Sequence, residues 1–177
     1  FVFFSTLLKN LSEKPITSPN LLYEIVQYVL KYIAGDIMIT YYDFNELVKS
    51  GISNETYLKI IMHIKDITIP VKNSYPEYKN WFLNKHVPGL GINRNILFAV
   101  HKMEIVGVIN LKNTDMEKKI CTLYVKPGFR FNKIGTTLLK MAFEQLGTNK
   151  PLITISDDKL FELRKFIVNN NWEISEK

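Results

Sequence analysis

Between Leu123 and Leu139 the chain reads LYVKPGFRFNKIGTTLL, a strand, a tight turn and the opening of a helix. The turn gathers groups that can hold an anion. Arg130, Asn132 and Lys133 bring donors, Gly135 lets a backbone come close, and Thr136 and Thr137 add hydroxyls. A helix start leaves its first N–H groups unpaired and carries about half a positive charge, so a phosphate can rest directly on it. A diphosphate fits this description. Alone, the same arginine and glycine are better explained by close helix–strand packing with solvated charges. The segment is neither G-x-x-x-x-G-K-[ST] nor the three-glycine dinucleotide fingerprint.

Other reactive side chains are sparse. Cys121 is the single cysteine, which excludes an internal disulfide framework and a multi-cysteine zinc site and fits a reducing cytoplasm. As a lone thiol in an apolar strand it reads as core before nucleophile. His63, His86 and His101 are far apart without ligand spacing, so no metal is expected. Asp115, Glu117, Asp157 and Asp158 are the acids closest to the joint in sequence, and the last two also stand where a helix cap belongs. Tyr75, Tyr78, Trp81 and Phe82 form either an aromatic wall or ordinary core at helical spacing.

The elements that must position these groups follow from periodicity. In SPNLLYEIVQYVLKYIAGD, Ser18 caps, Pro19 opens, and Leu22, Ile25, Val26, Val29 and Ile33 form a helical stripe closed by Gly35. DIMITYYDF predicts a strand; NELVKSG and SNETYLKIIMHIKD predict helices, the second capped by Ser53. Prolines and glycines break the region from Ile69 to Asn95, leaving one short helix at PEYKNWFLNKHV. NILFAVHK, EIVGVINLKN and KKICTLYVK then predict an antiparallel meander. A helix, NKIGTTLLKMAFEQLG, follows; PLITISDD predicts a buried strand and DKLFELRKFIVNNNW a last helix with an asparagine exit. The order β-β-β-α-β-α is α+β, with the last strand locally parallel.

At 177 residues and 46% apolar content the chain suits one compact domain. Its net charge of +6 rests mostly on lysines, and only Arg94, Arg130 and Arg164 supply forks, so charge alone argues weakly for nucleic acid. No apolar run approaches the ~20 residues of a membrane span. A start at Phe1 and an end at WEISEK lead us to expect trimmed termini.

YVKPGFRFNKIGTTLL resembles the acyl-CoA-binding motif of the GNAT superfamily of N-acetyltransferases, in which a Val-x-Pro-like turn precedes an [Arg/Gln]-x-x-Gly-x-[Gly/Ala] helix start. Val125, Pro127, Phe129, Arg130, Ile134, Gly135, Leu138 and Leu139 fall in register; Lys133 stands where the family's first glycine falls. The resemblance extends to ILFAVHKMEIVGVINLKN, PLITISDD and LFELRKFIVNNNW, from about Asp36 onward. The family's final strands would lie beyond WEISEK.

The resemblance implies a GNAT-like, mostly antiparallel mixed sheet flanked by helices, covering residues 36–177, with residues 1–35 as an extra N-terminal helical segment. It implies acetyl-CoA as cosubstrate, its pyrophosphate held by Arg130, Phe131, Asn132, Lys133, Ile134, Gly135 and Thr136. Leu123, Tyr124 and Val125 would pair with the pantetheine arm as an added strand, which requires their strand to splay from the one at Leu152. Acetyl transfer needs a deprotonated amine, an oxyanion donor and an acid for the thiolate. Backbone N–H near Tyr124 answers the second. The usual glutamate position aligns near Cys121 and Thr122 and the usual tyrosine position at Ile167, so the base is left to water with Asp115, Glu117, Asp157 or Asp158 and the acid to Tyr124, Tyr75, Tyr78 or water; Tyr124 and Asp158 are the catalytic candidates. The expected activity is acetylation of a primary amine of a small molecule or protein in a ternary complex. The alternatives are a regulatory acyl-CoA-binding module and a toxin-like aminoacyl-tRNA acetyltransferase. The expected setting is a cytoplasmic monomer or homodimer, without membrane contact and with no nucleic-acid partner other than tRNA.

Overall fold

The computed structural model describes residues 38–173. The expected helix from Ser18 to Gly35 and the extension over residues 1–35 lie outside them. Strand β1 is Thr40–Asp43, and Phe44, expected to end the strand, instead opens helix α1 (Phe44–Lys49). The Asp43 carboxylate accepts from the Asn45 and Glu46 N–H groups, a cap that ends the strand. Helix α2 (Asn54–Ile67) is capped by Ser53 as expected and buries Ile61, Ile64 and Ile67 at helical spacing. After a 3₁₀ turn at Ile69–Asn73, helix α3 (Tyr78–Trp81) runs into a π-helical turn at Phe82–His86.

The predicted meander is present as β2 (Arg94–His101), β3 (Glu104–Asn113) and β4 (Lys118–Val125). Lys102 and Met103 both have positive φ, the backbone of a tight hairpin turn. Helix α4 (Ile134–Leu146) ends at Gly147 in the left-handed conformation; β5 is Leu152–Ile153 and α5 is Asp157–Asn169, left through Asn171 at φ 52°. The sheet order is β1-β2-β3-β4-β5, antiparallel until β5 joins β4 in parallel. This is the expected mixed sheet flanked by helices.

Two expectations need correction. PLITISDD is not a buried strand: only Leu152 and Ile153 pair, and Leu152 is 46% exposed. Ser156, with extended backbone, takes the N-cap position of α5, so Asp157 and Asp158 fall in its first turn instead of capping it.

Each face of the sheet has its own core. Leu97, Val106, Ile109, Leu111 and Ile120 pack against Ile134, Leu138, Leu139, Ala142 and Leu146 of α4. Ile96, Phe98, Ile105 and Val108 pack against Phe44, α2 and the aromatics Tyr78 and Phe82. Each fully buried aliphatic side chain contributes about 1.5–3 kcal/mol, so both layers fix the sheet between them. Gly107 sets how closely α4 approaches, because a Cβ there would lie 2.8 Å from Ile134 Cγ2.

Candidate active site

Asn110 pairs with Thr122 and Leu111 with Ile120, so Cys121 has no partner and forms a bulge. A bulge bends its strand and sharpens the twist. On its other edge β4 pairs with β5 only at Lys119 and Ile120, and the strands then part. The splay expected from sequence is therefore present, and it starts at the bulge.

The Lys126 N–H donates to the Val106 carbonyl at 2.9 Å. Since consecutive residues of a strand turn their hydrogen-bonding groups to opposite sides, Lys126 and Tyr124 face β3, and Leu123 and Val125 face the gap. The open edge thus belongs to Leu123 and Val125. Tyr124 contributes no backbone donor to the gap; its half-buried side chain packs with the α1–α3 layer. The N–H groups that face the gap are those of its two neighbours, Leu123 and Val125.

At the end of β4, Arg130 Nε donates to the Val125 carbonyl at 3.2 Å, holding the exposed guanidinium at the mouth of the gap. Asn132 Nδ2 donates to the carbonyls of Phe129 and Arg130, both at 3.3 Å, and closes the turn on itself. Phe131 at φ 66° and Lys133 at φ 60° are left-handed, and Lys133 is the N-cap of α4 without a side-chain cap bond. Among the described residues, no acceptor takes the N–H groups from Phe131 to Thr136; the first helical bond runs from Thr137 to Lys133. A concave run of free N–H groups in this conformation is an anion nest. The left-handed backbone also explains why a glycine suits position 133 and what the lysine gives up.

At Gly135 a Cβ would meet only Val125 Cγ2, at an ordinary 3.7 Å. Helix–strand packing does not require the glycine.

The catalytic candidates stand differently. Asp158 is in the first turn of α5, and its side chain is outside those described. Cys121 is half-buried, and burial pushes its thiol pKa up against the opposing pull of Arg94 and Lys119, so it is a poor thiolate at neutral pH. The aromatic residues divide. Tyr78 and Phe82 are core, Trp81 is half-buried, and the Tyr75 hydroxyl donates to the Thr154 carbonyl at 2.9 Å, reaching the chain just after β5. Sequence reasoning missed three features: the buried Asn110 donating to the Tyr78 hydroxyl at 3.0 Å, Arg94 over the Trp81 ring at 5.7 Å, and Lys112 and Lys119 aligned with Arg94 across the strands. The first two depend on how α3 packs on the sheet and the third on cross-strand register, none of which a local motif reports. Burial raises the Tyr78 pKa and keeps it neutral.

A polar cleft of about 300 Å³ lies at the other end of α4, lined by Asp43, Asn95 and Gln145 among others. Its groups bind one another: Asn95 Nδ2 donates to Asp43 and to Gln145, each at 2.8 Å, and Gln145 Nε2 donates to Asp43. That network ties β1 and β2 to α4 and is structural. No three His, Cys, Asp or Glu side chains among the described residues are grouped to hold a metal. No helix among them is long and apolar enough to cross a membrane.

Residues 84–161 match the family model of the acetyltransferase (GNAT) domain. A search of curated protein sequences returns no match. Among solved structures the chain is similar to aminoglycoside N-acetyltransferase AAC(6')-Iy in complex with CoA, at 13% identity and TM-score 0.53, covering 79% of this chain and 91% of that one. It is also similar to PaiA N-acetyltransferase from Thermoplasma acidophilum in complex with coenzyme A (17%, TM-score 0.51, 75% and 88% covered). A third is an aminoglycoside acetyltransferase from an uncultured soil metagenomic sample (14%, TM-score 0.51, 80% and 93% covered). At these identities the likeness is one of fold.

Proposed function

We infer, from the premise that this chain carries a GNAT acetyltransferase domain, that it transfers the acetyl group of acetyl-CoA to a primary amine by direct attack in a ternary complex. One observation carries the reading: β4 leaves β5 at Cys121 and opens onto a helix start whose N–H groups from Phe131 to Thr136 lack acceptors. Two structural relatives hold CoA, which supports acetyl-CoA as the cosubstrate here.

In this reading the nest from Arg130 to Thr136 holds the pyrophosphate, Lys133 adds a cation, and the open edge of Leu123 and Val125 accepts the pantetheine amides as an added strand. The N–H of Leu123 or Val125 polarises the thioester carbonyl, stabilising the oxyanion without any special side chain. The amine nitrogen bonds to the carbonyl carbon as the carbon–sulfur bond breaks. Water takes the proton from the amine, and the Tyr124 phenol returns one to the sulfur. Asp158 serves as an alternative proton acceptor. Residues 36–177 form the acyltransferase domain and residues 1–35 its extension. A single cysteine supports a cytoplasmic setting.

A second reading, an acyl-CoA-binding module without turnover, is favoured by the residues at the bulge. Neither Cys121 nor Thr122 is a proton acceptor, and the thiol pKa is raised. Titration calorimetry with CoA and acetyl-CoA, followed by thiol release over an amine panel, separates the two. Tight binding without thiol release favours the module. Retained CoA affinity in Arg130→Glu combined with Gly135→Glu would refute the site itself.

A further inference from the structure

One arrangement at the base of the gap runs against local sheet energetics. Arg94 on β2 is the cross-strand partner of Lys112 on β3, and Lys112 is the partner of Lys119 on β4. Three cations therefore stand in a row on one face. Like charges directly opposite one another destabilise a ladder. Glu117 answers part of the charge, bonding Lys112 and lying 4.0 Å from Lys119, which leaves two positive charges unbalanced. The row is half-sheltered, with the Lys112 and Lys119 side chains 29% and 26% exposed.

Arg94 is held in place without a carboxylate. Its stem lies over Gly89, where a Cβ would come within 2.8 Å of Arg94 Cδ. Its guanidinium sits over the Trp81 ring, and Nη1 is 3.9 Å from Cys121 Sγ. Among the described residues it makes no ion pair. A guanidinium stacked on an indole is oriented but not neutralised, so its fork stays available to a planar or tetrahedral anion. Cys121 is the bulge residue, directly after the last residue of β4 that pairs with β5. The row thus ends where the gap begins, on the face of the α1–α3 layer.

We propose that Arg94, Lys112 and Lys119 hold an anionic group, a carboxylate or a phosphate, of the amine acceptor. The inference rests on the transferase reading and narrows it: the acceptor is a small anionic amine. A polycationic amine such as an aminoglycoside would meet like charge here. The distance suits this class. At about 3.3 Å per residue along a strand, Leu123 is about 7 Å from Cys121, which Arg94 reaches, and about 13 Å from Lys119, so a small molecule with its amine and anion at opposite ends bridges the gap from the Arg94 end of the row. A bidentate, charge-assisted contact with Arg94 would fix which end enters the gap.

The test uses the full chain saturated with CoA. Calorimetry measures binding of glucosamine 6-phosphate and glutamate against glucosamine and spermidine, and the same amines are assayed for thiol release with acetyl-CoA. The expected result is binding of one anionic probe and a kcat/KM about 10–100-fold above that of the uncharged or cationic amines, the size of one or two charge-assisted hydrogen bonds. The phosphate and carboxylate arms identify the anion. Arg94→Gln and Lys119→Gln should each raise KM for the anionic amine more than they lower kcat and bring the preference towards one. Two variants are used because Arg94 packs on Trp81, whereas Lys119 makes no such ring contact among the described residues. Preference for neutral or polycationic amines, failure of both anionic probes to bind, or an anionic preference kept by both variants would overturn the proposal. Anionic binding that both variants lose, with no thiol release from any amine, would uphold the row and overturn only the transfer reading.

Discussion

His86 lets the buried layer beneath the sheet be tested by pH. Its ring is fully buried, 5.0 Å from Trp81 and 5.8 Å from Phe82 between ring centroids. Neither ring nitrogen makes a hydrogen bond of good geometry. Burial, with the Arg94 charge beside it, lowers the pKa to about 3, and the nearby Asn95 backbone offsets this only weakly. In the unfolded chain the ring titrates at its ordinary value of 6.5. The unfolded state therefore binds the proton first as pH falls. Stability from the neutral ring is complete above about pH 6.5 and drains away down to about pH 3. At about 1.36 kcal/mol per pH unit the loss at pH 5 is about 2 kcal/mol, a large fraction of a typical domain stability of about 5–15 kcal/mol. Urea unfolding at pH 7.5 and pH 5 measures it for the wild type and for His86→Leu, which has no titrating ring. The wild type should lose about 2 kcal/mol more than the variant between the two conditions. Carboxylates such as Glu104 and Glu117, whose pKa values are lowered by their lysine partners, contribute equally to both proteins and cancel. Equal losses in the two proteins would show that the ring is not held neutral, and the reasoning would fail.

Three substitutions test the donor site. Gly135→Ala should leave stability within about 1 kcal/mol, since alanine suits a helix and a Cβ has room, while CoA affinity measured by calorimetry falls; unchanged affinity would return the glycine to mere chain geometry. Lys133→Gly should raise stability by about 1 kcal/mol by removing a side chain from a left-handed position and weaken CoA binding through loss of the cation, so a variant no more stable in urea would contradict the strained cap. Gly107→Ala should destabilise by about 1–3 kcal/mol through the clash with Ile134 and weaken CoA binding as well, because the same contact sets where α4 begins; intact affinity would uncouple the two.

What could be read from sequence divides by the distance over which the information acts. The meander, the Ser53 cap and the Gly147 stop were legible because apolar alternation and capping are local. The joint at Arg130 to Thr136 was legible for the same reason, as a turn followed directly by a helix. The short β5 was not: PLITISDD is apolar enough for a buried strand, but the bend at Cys121 carries β4 away after two pairs. The shift of the α5 cap to Ser156 is a one-residue matter of backbone angle, which the Ser-Asp-Asp order leaves open. The row of Arg94, Lys112 and Lys119 could not be found at all by spacing. Its members are separated by 18 and 7 positions in the chain, and the two hairpin registers alone bring them together.

The bulge at Cys121 joins these scales. A residue without a cross-strand partner is a local defect, yet here it separates β4 from β5 and so creates the open edge of Leu123 and Val125. The alternation of the same strand sends Tyr124 to the α1–α3 layer while Leu123 and Val125 pack with α4. In the proposed reading the pyrophosphate rests on the helix start at the strand's far end, the pantetheine arm pairs with the open edge, and the acceptor's anion docks on the cation row at its base. An acceptor positioned by its anion needs no glutamate on β4 to hold it. The absence of a base at Cys121 and Thr122 then bears on how the proton leaves. It does not bear on whether the amine is held.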